Sequence, residues 1–385
     1  MAVYCDHNAT TPLDDGVLEA MMPYLQGRFG NPSSRHGFGR EARHAVDEAR
    51  EKVAAAVGAH PSQVVFTSGG TEANNLAIRG MAAALPAGQV VWNGIEHPSV
   101  AKPCEGLRAQ GWSARPVAVS ADGGCDLDDL ARALREPAGV AARLVSVMLA
   151  NNETGVTQDV AAVARLARAA GAWVHTDAVQ ALGKLAVDFT ALGVHAMSLS
   201  GHKIYGPKGV GALVLDKRVE LLPQLSGGGH EKGLRAGTEN VPAIVGFGVA
   251  CELAVSRMER EAERLGALRT EMEQGLAALG GEVFGQGAER LANTSYFAFP
   301  GIEGETLLMA LDRAGFAVAS GSACSSGSTE PSPVLLAMGV ERELAKGAIR
   351  VSLGRANSRE QVRDFIRALR VELERLRAML AVALV

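Results

Sequence analysis

"QVVFTSGGTEANN", Gln63 to Asn75, starts as a strand and ends as a helix, with a turn built from serine and glycine. "QVVFT" reads as a buried strand, Ser68 to Gly70 as the turn, and a helix opens near Thr71. Strand-to-helix joints recur along the chain. "QVVWN" (Gln89 to Asn93), "RLVSVML" (Arg143 to Leu149), "AWVHT" (Ala172 to Thr176) and "AMSLS" (Ala196 to Ser200) are further short β-rich runs. Helical patterning lies between them. It is clearest in "QDVAAVARLARAAG", where Val160, Val163, Leu166 and Ala167 share a face and Gly171 is the stop. Strands alternating with helices predict an α/β fold with a mostly parallel sheet covered on both faces.

After "GGGH" (Gly227 to His230) the texture changes. A long helical pattern runs from about Val241 to Leu279, followed by short strands in "EVFG", "SYFAF", "FAVAS" and "AIRVSL". Helices are expected around Glu305 to Arg313 and Pro333 to Met338. A closing amphipathic helix carries Val362, Phe365, Ile366, Leu369 and Leu373 on one side. The expected organisation is a large α/β domain over residues 15–250 and a smaller α+β domain made of residues 1–14 and 251–385.

Composition narrows the function. Of 385 residues, 47% are hydrophobic and 21% charged, the balance of a soluble globular protein. A net charge of -4 offers nucleic acid no electrostatic footprint. The start "MAVYCDHNATT" lacks a basic region followed by an apolar run, and no apolar stretch approaches the roughly 20 residues of a membrane span. Cys5, Cys104, Cys125, Cys251 and Cys324 form an odd, scattered set without a C-x-x-C, so a disulfide framework or an intrinsic metal is not expected, and a reducing cytoplasm is.

Three motifs carry chemistry. The turn at Gly69–Gly70 and the helix opening at Thr71 would present free N–H groups and a positive dipole end to a phosphate, although an ordinary cap with Glu72 in the first turn fits the same residues. G-x-G-x-x-G is absent there and G-x-x-x-x-G-K-[ST] is absent throughout. Asp177 falls just past a buried strand, where α/β sheets place ligands; it could cap a helix or face a cationic ring nitrogen. "SLSGHKIYGPKG" puts Ser200, His202 and Lys203 after another buried strand. A lysine there is either solvated or desolvated enough to form a Schiff base. A phosphate seat, an amine and an acid together suit pyridoxal 5'-phosphate. His97, past the strand ending at Asn93, could stack on such a ring and move protons, or be a plain loop histidine.

In order and together, "ATTPLD", "FGNPSS", "FTSGGTE", "EHPSV", "NNETG", "HTDAVQALGK", "SLSGHKIYGPKGVG", "GGGHEKGLRAGTEN" and "SGSACSSGSTEPS" resemble the cysteine desulfurases of the NifS/IscS type, among the class V aminotransferase-like enzymes. The resemblance spans nearly the whole chain. It implies a PLP-dependent transferase of the aspartate aminotransferase-like fold, fold type I. It implies Lys203 as the Schiff-base lysine, Asp177 at the ring nitrogen and Gln180 at the ring hydroxyl. Gly70, Thr71, Ser200 and His202 would hold the phosphate, and His97 would stack on the ring as acid and base. Asn152 would contact the bound substrate, and Arg350 would take the substrate carboxylate. Thr238 would reach the phosphate in a partner subunit, hence a homodimer.

The resemblance makes Cys324, in its Ser/Gly-rich run, the nucleophile that takes sulfur from L-cysteine. Alanine leaves, and the persulfide passes to an iron–sulfur scaffold or other sulfur-acceptor protein, with transient contact to a nascent cluster. Ser and Gly suit a thiol that must travel. Two alternatives share most of these residues: a selenocysteine lyase or other β-eliminating enzyme of the same fold, and a non-catalytic assembly scaffold. The chain departs from the family wording at "YCDH" and "GGTE", neither of which touches an implied catalytic position.

Overall fold

The structure is a computed structural model that describes residues 2–135, 140–320 and 330–383. At its centre is a seven-stranded sheet in the spatial order Val64–Thr67, Gly211–Leu215, Ala196–Ser200, Trp173–Asp177, Ala142–Ser146, Gln89–Asn93, Ser113–Val117. Gly211–Leu215 runs antiparallel to both its neighbours, and the remaining pairings are parallel. Every strand except Gly211–Leu215 therefore ends on the same edge of the sheet, where α/β folds build their sites. The strands Val64–Thr67, Gln89–Asn93, Ala196–Ser200 and Gly211–Leu215 are mostly apolar and buried along their whole length, as a sheet covered by helices requires.

Two of these strands have no counterpart among the β-rich runs of the sequence. "SARPV" (Ser113–Val117) is one edge of the sheet, where exposed Ser113 and a proline are tolerated. "GALVL" (Gly211–Leu215) is hidden by the glycines around it.

A second sheet is antiparallel, in the order Ala319–Ser320, Ile349–Ser352, Thr294–Ala298, Glu282–Val283. "FAVAS" divides between sheets: Phe316–Ala317 pairs in parallel with Val3–Tyr4 at the chain's start, and Ala319–Ser320 joins the second sheet. The helix Val241–Ala278 spans 38 residues and packs on the helices Asp15–Leu25 and Gly37–Ala56, and on the closing helix Arg359–Ala383. The boundary expected at residue 250 falls inside this one continuous helix. It also contains an 18-residue window apolar enough to cross a membrane by length and composition, contrary to the sequence expectation. Phe247, Ala250 and Cys251 of that stretch are buried in the core of the large sheet's helical layer, which accounts for its character.

Candidate active site

At the shared strand edge lies a cavity of about 610 Å³. Gly70, Thr71, His97, Asn152 and Asp177 line it, and so do Gln180, Ser200, His202, Lys203 and Arg350. The acid and the amine thus open onto one space although 26 residues separate them in sequence.

The anion seat is built first. The helix Gly70–Ala84 follows Gly69, which has no side chain to cap it, so its first-turn N–H groups stay open. Gly69 sits at φ 151°, ψ -178°, a region closed to residues with a Cβ. Ser200 ends its strand 2% exposed, and its Oγ has no partner among the described residues. A buried hydroxyl left unpaired costs about 1–3 kcal/mol, which an anion in the seat would recover. His202, on the next turn, is pushed down to about 4 by burial and by the charges of Lys203 and Lys208, and so is neutral at physiological pH.

Asp177 is held rather than free to cap. Its Oδ2 accepts from Asn74 Nδ2 at 2.7 Å, and its Oδ1 accepts from the Val179 N–H at 2.9 Å. Asn74 also donates to Ser99 Oγ at 2.8 Å. The buried Glu96 is pushed well up by burial, and Asp177's charge adds to the rise. His97 caps the helix Pro98–Gly106: its Nδ1 accepts from the Ser99 N–H at 3.1 Å. The hydrogen of the neutral ring therefore sits on Nε2. Burial, and less so Lys203, lowers its basicity, while Asp177 opposes.

Lys203 Nζ donates to the carbonyls of Asn8 and Ala9 at 2.5 and 2.7 Å. Arg350 donates from Nη2 to Asp6 Oδ1 at 2.7 Å and from Nη1 to the Asn152 carbonyl at 2.9 Å, and its Nε has no partner among the described residues.

Thr238 is exposed and does not line this cavity. Cys324 lies outside the described residues. The described chain on either side of it is anchored at the cavity's edge. Ala319 pairs with Arg350, and Ser332 donates to the buried Glu153, which follows Asn152. Sequence reading missed Asn8, Asn74, Ser99 and Asp6, because single polar residues in short loops carry no periodicity.

These groups fit a phosphorylated pyridine aldehyde: an uncapped helix with an orphan hydroxyl for the phosphate, a fixed carboxylate for the ring nitrogen, and an amine for the aldehyde. Residues 3–365 match the family Aminotransferase class-V. This chain belongs to that family. A relative in Dictyoglomus turgidum, described as cysteine desulfurase IscS, is 44% identical over 381 residues, covering 98% of this chain and 96% of its own. A solved structure described as a NifS-like protein is 38% identical, with TM-score 0.91, and covers 97% of this chain and 100% of its own. The structure of SspA in complex with cysteine is 34% identical, with TM-score 0.80, over 91% of this chain and 98% of its own. Class-V aminotransferases of this kind are pyridoxal phosphate enzymes, and this member stands with the cysteine desulfurases.

Proposed function

We propose that the chain removes sulfur from L-cysteine with pyridoxal 5'-phosphate, forming L-alanine and a persulfide on Cys324, which supplies iron–sulfur cluster or thio-cofactor assembly. The observation that carries this reading is the meeting of Lys203, Asp177 and the open start of the helix Gly70–Ala84 in one cavity. Lys203 would hold the aldehyde, Asp177 the ring nitrogen and Gln180 the ring hydroxyl. Gly70, Thr71, Ser200 and His202 would hold the phosphate. When bound, the cofactor supplies an electron sink for the bond broken at the substrate's Cα.

The protein's own residues supply the rest. Arg350 binds the substrate carboxylate through its planar fork, beside Asn152. With substrate bound, Lys203 would take the Cα proton at Nζ, and His97 would hold or move a proton at Nε2. The Cys324 thiolate attacks the substrate sulfur. A C–S bond is exchanged for an S–S bond, the substrate's Cβ gains a proton, and no outside oxidant is consumed. A free thiol of pKa about 8.5 is only some 3% ionised at pH 7, so a proton acceptor near Cys324 is part of the proposal.

A homodimer is supported by exposed apolar side chains. Phe29 and Phe38 are 74% and 56% exposed and stack at 5.6 Å, and Leu222 and Leu225 are also exposed. Thr238, exposed and not among the lining of its own cavity, would serve the partner's. A reducing cytoplasm suits the free thiols Cys5, Cys104, Cys125 and Cys251.

The test is mass spectrometry after exposure to L-cysteine. The peptide carrying Cys324 should gain the mass of one sulfur atom, and alanine should appear. Alanine-free elimination with an unmodified Cys324 would defeat the proposal.

A further inference from the structure

Gln180 is buried and lines the cavity, and both ends of its amide are held from behind. Its Nε2 donates to the Asn8 carbonyl at 2.8 Å, and its Oε1 accepts from Lys184 Nζ at 2.7 Å. Lys184 does not line the main cavity. It lines a separate pocket of about 50 Å³ shared with His7 and the far side of Lys203. Its amine also reaches Asn8 Oδ1 at 3.3 Å. Asn8 is itself tied down: its Nδ2 donates to Thr294 Oγ1 at 2.9 Å and its N–H to Ser352 Oγ at 2.9 Å.

A backbone carbonyl only accepts, and the lysine amine faces the amide's oxygen as a donor. Together these partners permit one orientation of the Gln180 amide, oxygen rearward and nitrogen toward Asn8. One amide hydrogen is spent on Asn8, and the other is what the amide can offer the cavity. Burial, with the charges of Lys203 and Arg350, pushes Lys184 down to about 7, and an amine in either protonation state has a hydrogen to donate.

We propose that Lys184 is a positioning residue that acts through Gln180: it locks the amide so that an N–H, not a carbonyl oxygen, meets the anionic ring oxygen of the bound cofactor. This rests on the functional reading above and adds to it a residue that touches neither substrate nor cofactor. With Lys184 gone, Oε1 is left unpaired in a buried place and the amide is free to turn toward another donor.

The experiment is a double-mutant cycle on apo-protein titrated with pyridoxal 5'-phosphate, comparing wild type, Lys184→Met, Gln180→Ala and the double variant. It reads the dissociation constant and the absorbance maximum of the bound cofactor. Each single variant should weaken binding by about 3- to 10-fold, the worth of one net hydrogen bond, and shift the maximum in the same direction. The double variant should be no worse than Gln180→Ala alone. Lys184→Gln, which keeps an N–H donor, should recover part of the loss.

A Lys184→Met protein matching wild type in both readouts would overturn the inference, and so would losses that add in the double variant. If Lys184→Met lacks the native far-ultraviolet signal, Lys184→Ala takes its place in the same cycle. A wild type that does not bind the cofactor overturns the functional reading instead.

Discussion

Arg350 shows how a single side chain is prepared for its ligand. Two of its nitrogens are committed, to Asp6 and to the Asn152 carbonyl, so the guanidinium plane is fixed before any substrate arrives. Arg350→Lys keeps the charge and loses the fork. Steady-state kinetics should then show KM for L-cysteine rising by about 10- to 100-fold, the equivalent of one charge-assisted hydrogen bond, with a smaller change in kcat. Replacing His97 by alanine should instead lower kcat, by about 10²- to 10⁴-fold for a lost proton carrier. Lys203→Ala should abolish the lysine-linked visible absorbance, while Cys324→Ala should keep it and stop sulfur transfer. Lys203, Asp177 and His97 were legible because each stands at or shortly past the end of a buried strand. Asn8 was not: its partners Asn152, Lys184 and Thr294 lie 144 to 286 residues away, and nothing local in "DHNATT" shows them.

At the scale of elements, the connection holding Gly227 to Asn240 carries backbone strain. Glu231 and Lys232 sit at φ 45° and 61°, left-handed values that cost non-glycine residues energy. The compensation is a buried bidentate pair. Glu231 accepts from Arg50 at 2.8 and 2.7 Å and from the Phe66 N–H at 2.8 Å, and Arg50 lies 4.7 Å over the Phe66 ring. The pair fastens this connection to the strand that feeds the anion seat. Arg50→Ala would leave a carboxylate buried alone and should cost about 3–5 kcal/mol in urea unfolding. The apolar exchange Arg50→Met with Glu231→Leu should cost clearly less, because it removes both charges together. The alternation of strand and helix was readable from hydrophobic runs, since burial on both faces demands them. The strained turn was not, because "GHEKG" looks like any polar loop.

Across the whole molecule, burial holds several histidines below their ordinary basicity. His175 is fully buried between Ser146 Oγ at 2.8 Å and Ser198 Oγ at 2.9 Å, and burial pushes it down to about 3. An unfolded histidine titrates near 6.5. Between these values the unfolded chain binds the extra proton, so His175's contribution is complete above about pH 6.5 and is lost as pH falls toward 3. His7 and His195, pushed down to about 4, act in the same direction. Glu153, pushed up to about 7 by burial, acts against them, since it keeps its proton in the fold. In His175→Gln the loss of stability between pH 7 and 4.5, measured by denaturant unfolding, should shrink by about 2–3 kcal/mol. An unchanged acid slope would place the sensitivity elsewhere.

The bonds from Asn8 to Ser352 and from Asp6 to Arg350 each join residues 344 apart. During synthesis, Lys203 and Asp177 leave the ribosome long before Arg350 is made. A nascent chain could therefore capture the vitamin early, yet it could not recognise an amino acid until translation is nearly finished. Fragments from premature termination should be coloured but idle.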